Sequence, residues 1–73
     1  MNIKVSYFVH EKRMQKNMSA RQLAMLSGVS HTEINNIEAG KKHPSVMTLC
    51  MIAEALKAEP SSLFSYEIVK SGN

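Results

Sequence analysis

The sequence predicts an all-α domain of five short helices, the second and third joined by a tight turn. Three observations carry this. Apolar residues recur three and four apart in successive short segments. Gly28 and Gly40 follow such segments, and Pro44 and Pro60 precede them. Two segments also open with start signals: Ser19 stands three residues before Gln22, and Ser30 three before Glu33. That is the spacing of a capping box, in which the serine oxygen accepts from a backbone N–H and the Gln or Glu reaches back to the serine N–H.

The first helix is expected from about Ile3 to Lys16, because Val5, Phe8, Val9 and the stem of Lys12 fall at helical spacing. Asn17, which tolerates the left-handed conformation, ends it. Met18 packs inward. The second helix follows Ser19 and presents Leu23, Ala24 and Leu26 as its apolar face. Gly28 supplies the left-handed residue after it, and Val29 plugs the turn. The third helix runs from about His31 to Glu38, with Ile34 and Ile37 as its buried stripe and polar residues elsewhere. A basic loop, Lys41-Lys42-His43-Pro44, leads to Ser45. From there a fourth helix, Val46 to Lys57, turns Val46, Leu49, Ile52, Ala53 and Leu56 to the core. Pro60 suits the first turn of a short fifth helix, with Leu63 and Phe64 packing inward. The tail 66–73 carries Tyr66, Ile68 and Val69; packing back and serving a partner both remain open.

Length and composition narrow the function. With 73 residues, the chain is expected to form one domain, core about 5–65. Such a domain buries only about 60% of its unfolded-state surface. The lone Cys50 has no intramolecular disulfide partner, which suits a reducing cytoplasm. No apolar run approaches a bilayer span of roughly 20 residues, and MNIKVSYFVHEK lacks a signal-peptide apolar region, so no membrane association is expected. The net charge of +3 suits a polyanion partner. Cys50 with His10, His31 or His43 is the only thiol–imidazole combination, and it lacks an activating signature. The three histidines and Cys50 match no common metal-ligand spacing. No enzyme, metal, cofactor or small-molecule ligand is expected.

Two short capped helices with a glycine between them form a helix-turn-helix, a device for placing a helix in the DNA major groove. A longer ordered set of residues extends the pattern: Arg13, Met18-Ser19, Leu23-Ala24, Leu26-Ser27-Gly28-Val29-Ser30, Ile34, Ile37-Glu38, Gly40-Lys41, Pro44-Ser45, Thr48-Leu49, Ile52-Ala53, Ala55-Leu56 and Leu63-Phe64. From Val9 to Phe64 the chain thereby resembles the Cro/phage-repressor class, the lambda-repressor-like or XRE family of bacterial and phage regulators. It departs from the usual family pattern at Ala20, where glutamine is common, and on the third helix, which has no arginine or lysine between Ser30 and Ala39. Met47, Cys50 and Met51 stand where charged residues are frequent.

The resemblance implies a sequence-specific regulator, a repressor by expectation, whose third helix reads bases through His31, Thr32 and Asn36, with Asn35 beside them. Asparagine can bond adenine N6 and N7, histidine can donate to guanine, and the threonine methyl can meet that of thymine. On an isolated amphipathic helix the same residues would be a solvated face. Phosphate contacts are expected from Ser19, Arg21, Gln22, Ser30, Lys41, Lys42 and His43, aided by the helix N-termini. The alternative for the lysine pair is a solvated loop. Glu33, a capping carboxylate that would repel phosphates, is assigned to structure. The family also pairs an arginine late in its first helix with a glutamate near the end of its third, which implies an Arg13–Glu38 ion pair.

One reading head contacts too little sequence for operator-level specificity. A homodimer on a palindromic double-stranded operator is therefore expected. Its surface could be the helix-four methionines, the junction of the fourth and fifth helices, or the Tyr66–Val69 tail. The competing class is a protein-interaction module on the same scaffold, motivated by Ala20, a third helix without arginine, and Met47 and Met51 four residues apart.

Overall fold

The computed structural model describes residues 2–70. It contains four α-helices, one 3-10 turn and a two-stranded antiparallel sheet. In chain order these are β1 (Asn2–Tyr7), α1 (Val9–Gln15), α2 (Ala20–Ser27), α3 (His31–Glu38), α4 (Val46–Leu56), the 3-10 turn (Pro60–Leu63) and β2 (Phe64–Val69). The all-α, five-helix expectation is thus corrected at both ends of the chain.

At the N-terminus the predicted first helix divides at Phe8. Ile3, Val5 and Tyr7 alternate with Lys4 and Ser6, a period of two, and their partners Phe64, Tyr66 and Ile68 alternate in the same way. Pairing across some sixty residues overrides the weak helical spacing of Val5, Phe8 and Val9. The Phe8 N–H donates to the Leu63 carbonyl at 2.8 Å, so the sheet begins where the helical body ends. The expected fifth helix is a single 3-10 turn, because Phe64 swings to extended backbone (φ −150°, ψ 160°). The tail from Tyr66 to Val69 packs back as β2, and 71–73 lie outside the described residues.

The core is built from every helix and the 3-10 turn: Val9, Leu23, Val29, Ile34, Ile37, Leu49, Ile52, Ala53, Leu56 and Leu63 are buried. Each fully buried Leu or Ile of this set contributes about 1.5–3 kcal/mol over remaining exposed. Three residues expected inside are not. Leu26 is 64% exposed and Val46 77% exposed, while Phe64 lies on the surface of β2. Leu26 lies three residues beyond Leu23, but the inward arc of an eight-residue helix is already filled by Leu23 and Ala24. Val46 is the first residue of α4, a turn short of the layer that Leu49 reaches.

Local signals act as read at several joints. Asn17 adopts φ 53° after α1, and Gly28 adopts φ 78° after α2. The Ser27 hydroxyl accepts from the Val29 N–H at 3.1 Å, tightening the turn into α3. Ser45 caps α4 by accepting from the Thr48 N–H at 3.1 Å. Lys57, by contrast, ends α4 at φ 54° with a side chain that gains nothing from that conformation.

Two substitutions test this backbone account by urea denaturation. Lys57→Gly removes left-handed strain and raises stability by about 0.5–1 kcal/mol, the strain relief outweighing glycine's added unfolded-state freedom. Gly28→Ala lowers stability by about 1–2 kcal/mol, since its φ disfavours any L side chain. The added Cβ would also stand 3.5 Å from Met51 Cε.

Candidate nucleic-acid interface

The segment from α2 to α3 is held at three points: the cap of α2, the cap of α3 and the far end of α3. At the first, the full capping box forms. The Gln22 N–H donates to Ser19 Oγ at 3.0 Å, and the Ser19 N–H donates to Gln22 Oε1 at 2.8 Å. At the second, only half of the expected box forms. The Glu33 N–H donates to Ser30 Oγ at 3.1 Å, but the Glu33 carboxylate turns away and receives Lys42 Nζ at 2.8 Å. A charge-assisted bond to a lysine outweighs one to a neutral N–H that water can also satisfy.

Between these anchors α3 is sharply two-sided. Ile34 and Ile37 are buried against the core. Thr32, Asn35 and Asn36, spaced three and four apart, share the opposite face. His31 flanks them, half-buried in the first turn. Among the described residues no buried side-chain N or O lacks a partner. The polar ends of these four side chains, which bond nothing within the described residues, therefore open to solvent.

The seven residues expected at phosphates fall into three groups. Arg21 and Lys41 are exposed, and no ion pair engages either among the described residues. Ser19, Gln22 and Ser30 cap helices through their acceptor oxygens yet keep hydroxyl or amide protons to donate. Lys42 and His43 have internal partners: Lys42 pairs with Glu33, and His43 Nδ1 lies 2.9 Å from the Tyr7 hydroxyl, with the two rings tilted 57° at 5.7 Å. The Lys42 ammonium has two protons beyond the one given to Glu33, and His43 keeps its Nε2, so each can reach a phosphate with its internal contact in place.

At the far end of α3, Arg13 and Glu38 meet side-on. Arg13 Nε donates to Glu38 Oε2 at 2.8 Å, and Nη2 donates to Oε1 at 2.9 Å. The remaining arm, Nη1, donates to the Met18 carbonyl at 2.9 Å. One guanidinium thus joins α1, the α1–α2 connection and the last residue of α3. His10 adds to the cluster, with Nδ1 3.2 Å from Glu38 Oε1 and 3.1 Å from Arg13 Nη2. Both Arg13 and Glu38 side chains are only 11% exposed. Burial by itself pushes the Glu38 carboxyl up. The hydrogen bonds from Arg13 and His10, with Arg13's charge, outweigh it and hold the carboxyl below its ordinary value. The reciprocal bond holds Arg13 above its own, against burial.

A helix-turn-helix family model matches residues 9–63. The chain belongs to the helix-turn-helix family. Within it, the chain falls in the XRE, Cro- and repressor-like branch, a non-enzymatic class. It is 37% identical over 57 residues to an uncharacterised HTH-type transcriptional regulator of Mycobacterium tuberculosis, matched in two strains; this covers 78% of the present chain and 41% of that protein. The chain therefore spans about two fifths of those relatives. Its structure is similar to that of the restriction-modification controller protein C.AhdI from Aeromonas hydrophila, with a TM-score of 0.70 and 32% identity, covering 73% of this chain and 80% of that one. It is also similar to an HTH_3 family transcriptional regulator from Vibrio cholerae, with a TM-score of 0.71 and 33% identity, covering 74% and 30%. A protein from Bacteroides fragilis described as DNA-binding superposes with a TM-score of 0.77 at 26% identity, covering 85% of this chain and all of that one.

The matched span runs from Val9 to Leu63, so it excludes both β1 and β2. Sequence reasoning missed His10, Tyr7 and the Glu33–Lys42 pair. His10 was findable, since it lies three residues before Arg13 on the same helical face. Among the described residues no three metal-ligating side chains come together, and no helix is long and apolar enough to cross a membrane.

The Arg13–Glu38 cluster gives two expected outcomes. Glu38→Ala lowers unfolding stability by roughly 2–4 kcal/mol, between the exposed and fully buried limits for an ion pair; an unchanged melting temperature would make the pair a mere surface contact. Glu38 titrates lower folded than unfolded, so its stabilisation is complete above the ordinary carboxylate value and is lost as pH falls through the lowered one. The stability gap between wild type and Glu38→Gln is therefore flat above about pH 5 and shrinks progressively in acid. Urea midpoints collected across pH measure it.

Proposed function

We propose that the chain is the sequence-reading head of a transcriptional regulator that binds double-stranded DNA, with α3 as the helix entering the major groove. The observation that carries this is the polar face of α3. Thr32, Asn35 and Asn36 stand opposite Ile34 and Ile37 with no internal partners among the described residues, on a helix clamped at its far end by Arg13. A helix fixed so firmly, with its amides left open, suits bidentate recognition of adenine by asparagine. Thr32 offers a methyl for thymine, and His31 a ring nitrogen for guanine.

Arg21 and Lys41 are the first candidates for phosphate contacts, with Ser19, Gln22 and Ser30 donating from the helix starts. Lys42 and His43 join through the ammonium protons and the Nε2 that Glu33 and Tyr7 leave unused. Such contacts set register and affinity without reading sequence. The similarity to C.AhdI, most of whose length is matched, supports a regulatory role for a single head of this size. We further propose that residues 1–73 act as one domain and that two copies bind a palindromic operator, their recognition helices roughly 34–36 Å apart. Repression by occlusion is the simplest output of such a head.

A second reading, a protein-interaction module, is favoured by one observation: Met47 is 73% exposed on α4, in a chain whose α3 carries no lysine or arginine. Salt dependence separates the two. For DNA, log affinity falls with log salt by nearly one unit per phosphate neutralised; a methionine-driven contact scarcely changes.

Selection from a random DNA pool, read at two salt concentrations, tests the first reading, and failure to enrich any motif would sink it. Given an enriched site, Asn36→Ala relaxes discrimination at one base pair by about 1–3 kcal/mol. Lys41→Ala instead weakens all sequences alike and reduces the salt slope by about one.

A further inference from the structure

The two-stranded sheet has one wholly apolar face. Residues directly opposite in an antiparallel pair share a face, and the register places Ile3 with Ile68, Val5 with Tyr66, and Tyr7 with Phe64. The other face carries Asn2–Val69, Lys4–Glu67 and Ser6–Ser65. Such alternation normally means that the apolar side is covered. Here it is covered only near Tyr7. Ile3 is 61% exposed and Tyr66 65% exposed. The face runs into an open groove of about 560 Å³, closed on its far side by Val46, Leu49 and Pro60. A two-stranded sheet is at best marginally stable by itself, so an uncovered apolar face is the feature of this molecule that most needs a partner.

We propose that this face, from Ile3 and Tyr66 across the groove to Val46, packs on the same face of a second copy of the chain about a twofold axis. The inference rests on the homodimer reading above and says which surface makes it. Two physical arguments favour a second copy as the occupant. A twofold interface sets a patch against itself, so any charge on it approaches the identical charge of the partner. With a net charge of +3 the chain repels its copy, yet the sheet face and Val46 carry no charge; Lys4 and Glu67 sit opposite each other on the reverse side. Among the other exposed apolar residues, Met25 and Leu26 on α2 share a surface with Lys16, which would meet its own copy there.

Area is the second argument. The exposed parts of the sheet face and Val46 amount to something on the order of 600 Å² per copy, against roughly 800 Å² per partner in a standard interface. That is enough for a reversible dimer completed on DNA. The Tyr7–His43 contact also links the same face to the basic loop bearing Lys41 and Lys42, so pairing of the sheets would orient that loop.

Sedimentation equilibrium of the 73-residue chain from about 1 to 500 µM tests this, a range set by what an interface of this size supports. A reversible monomer–dimer equilibrium is expected. Tyr66→Glu and Val46→Glu are each expected to weaken it by ~30-fold or more, as central interface residues do. Met25→Glu, outside the face, leaves it unchanged. Circular dichroism melts report folding, and Val46→Glu decides if Tyr66→Glu unfolds the sheet. A wild type that stays monomeric throughout the range overturns the proposal, and so does dimerisation of both glutamate variants at wild-type strength. Gel shifts on one-half-site and two-half-site DNA keep this separate from the DNA reading. If both variants still bind two half-sites cooperatively, the surface is wrong and the function stands. If the dimer forms through this face but no sequence is retained, the function is wrong and the surface stands.

Discussion

The guanidinium of Arg13 holds the one joint that the hydrophobic core cannot. α3 has eight residues, well short of the roughly 12–15 at which an isolated helix becomes even marginally stable. Ile34 and Ile37 fix its middle, but its last residue, Glu38, carries a negative charge at the negative end of the helix dipole. Left alone, that end would fray. Arg13 meets both carboxylate oxygens and the Met18 carbonyl together, so the position of α3 is referred to α1 and to the start of the α2 segment in a single contact. Lysine, with one compact charge, could not span the three acceptors in a plane. The direction in which α3 presents Thr32 and Asn36 therefore depends on a residue that touches neither.

The sheet extends the same logic to the ends of the chain. Phe8 and Leu63 join the helical body to both strands through one backbone hydrogen bond, and Tyr7 reaches the α3–α4 loop at His43. Whatever seats the sheet is thus coupled through two short contacts to the loop that follows the recognition helix. The matched family span omits both strands, so one partner of each contact, Phe8 or Tyr7, lies outside the shared helical frame.

Legibility in the sequence followed the range of the interaction. Ser19 with Gln22, Gly28 after α2, Asn17 after α1 and Ser45 before α4 act within four residues, and each was readable. The core positions Leu23, Ile34, Ile37, Leu49 and Ile52 were readable from period alone. β1 was not, because Val5 fits either period and only its pairing with Tyr66 decides. Lys57 was invisible for a related reason: nothing about lysine announces a left-handed residue, and the packing of Leu56 and Leu63 on either side imposes it. In the candidate site, the residues of α3 and the Arg13–Glu38 pair could be named, but not the internal partners of Lys42 and His43. Those bonds span 9 and 36 residues and arise only once the α3–α4 loop has folded against α3 and the sheet.

The Glu33–Lys42 bond bears on how a helix without lysine or arginine can serve DNA. Glu33 is the one carboxylate in the first turn of α3, where it would face a phosphate backbone. Pairing it with Lys42 cancels that repulsion but removes a cation from the loop. On the proposed reading affinity rests on few charges, Arg21 and Lys41 foremost, while the bases would meet only neutral amides, a hydroxyl and an imidazole. Non-specific binding scales with phosphates neutralised, whereas each amide–adenine pair adds discrimination of about 1–3 kcal/mol without adding charge. A head arranged in this way binds random DNA weakly and gains a large share of its affinity from the correct site. It also needs a second head more than a strongly cationic domain would, since one weak contact set must be doubled to hold an operator. In the proposed dimer the uncharged face of the sheet has a physical reason to exist: it would let two basic molecules meet without like charges opposed.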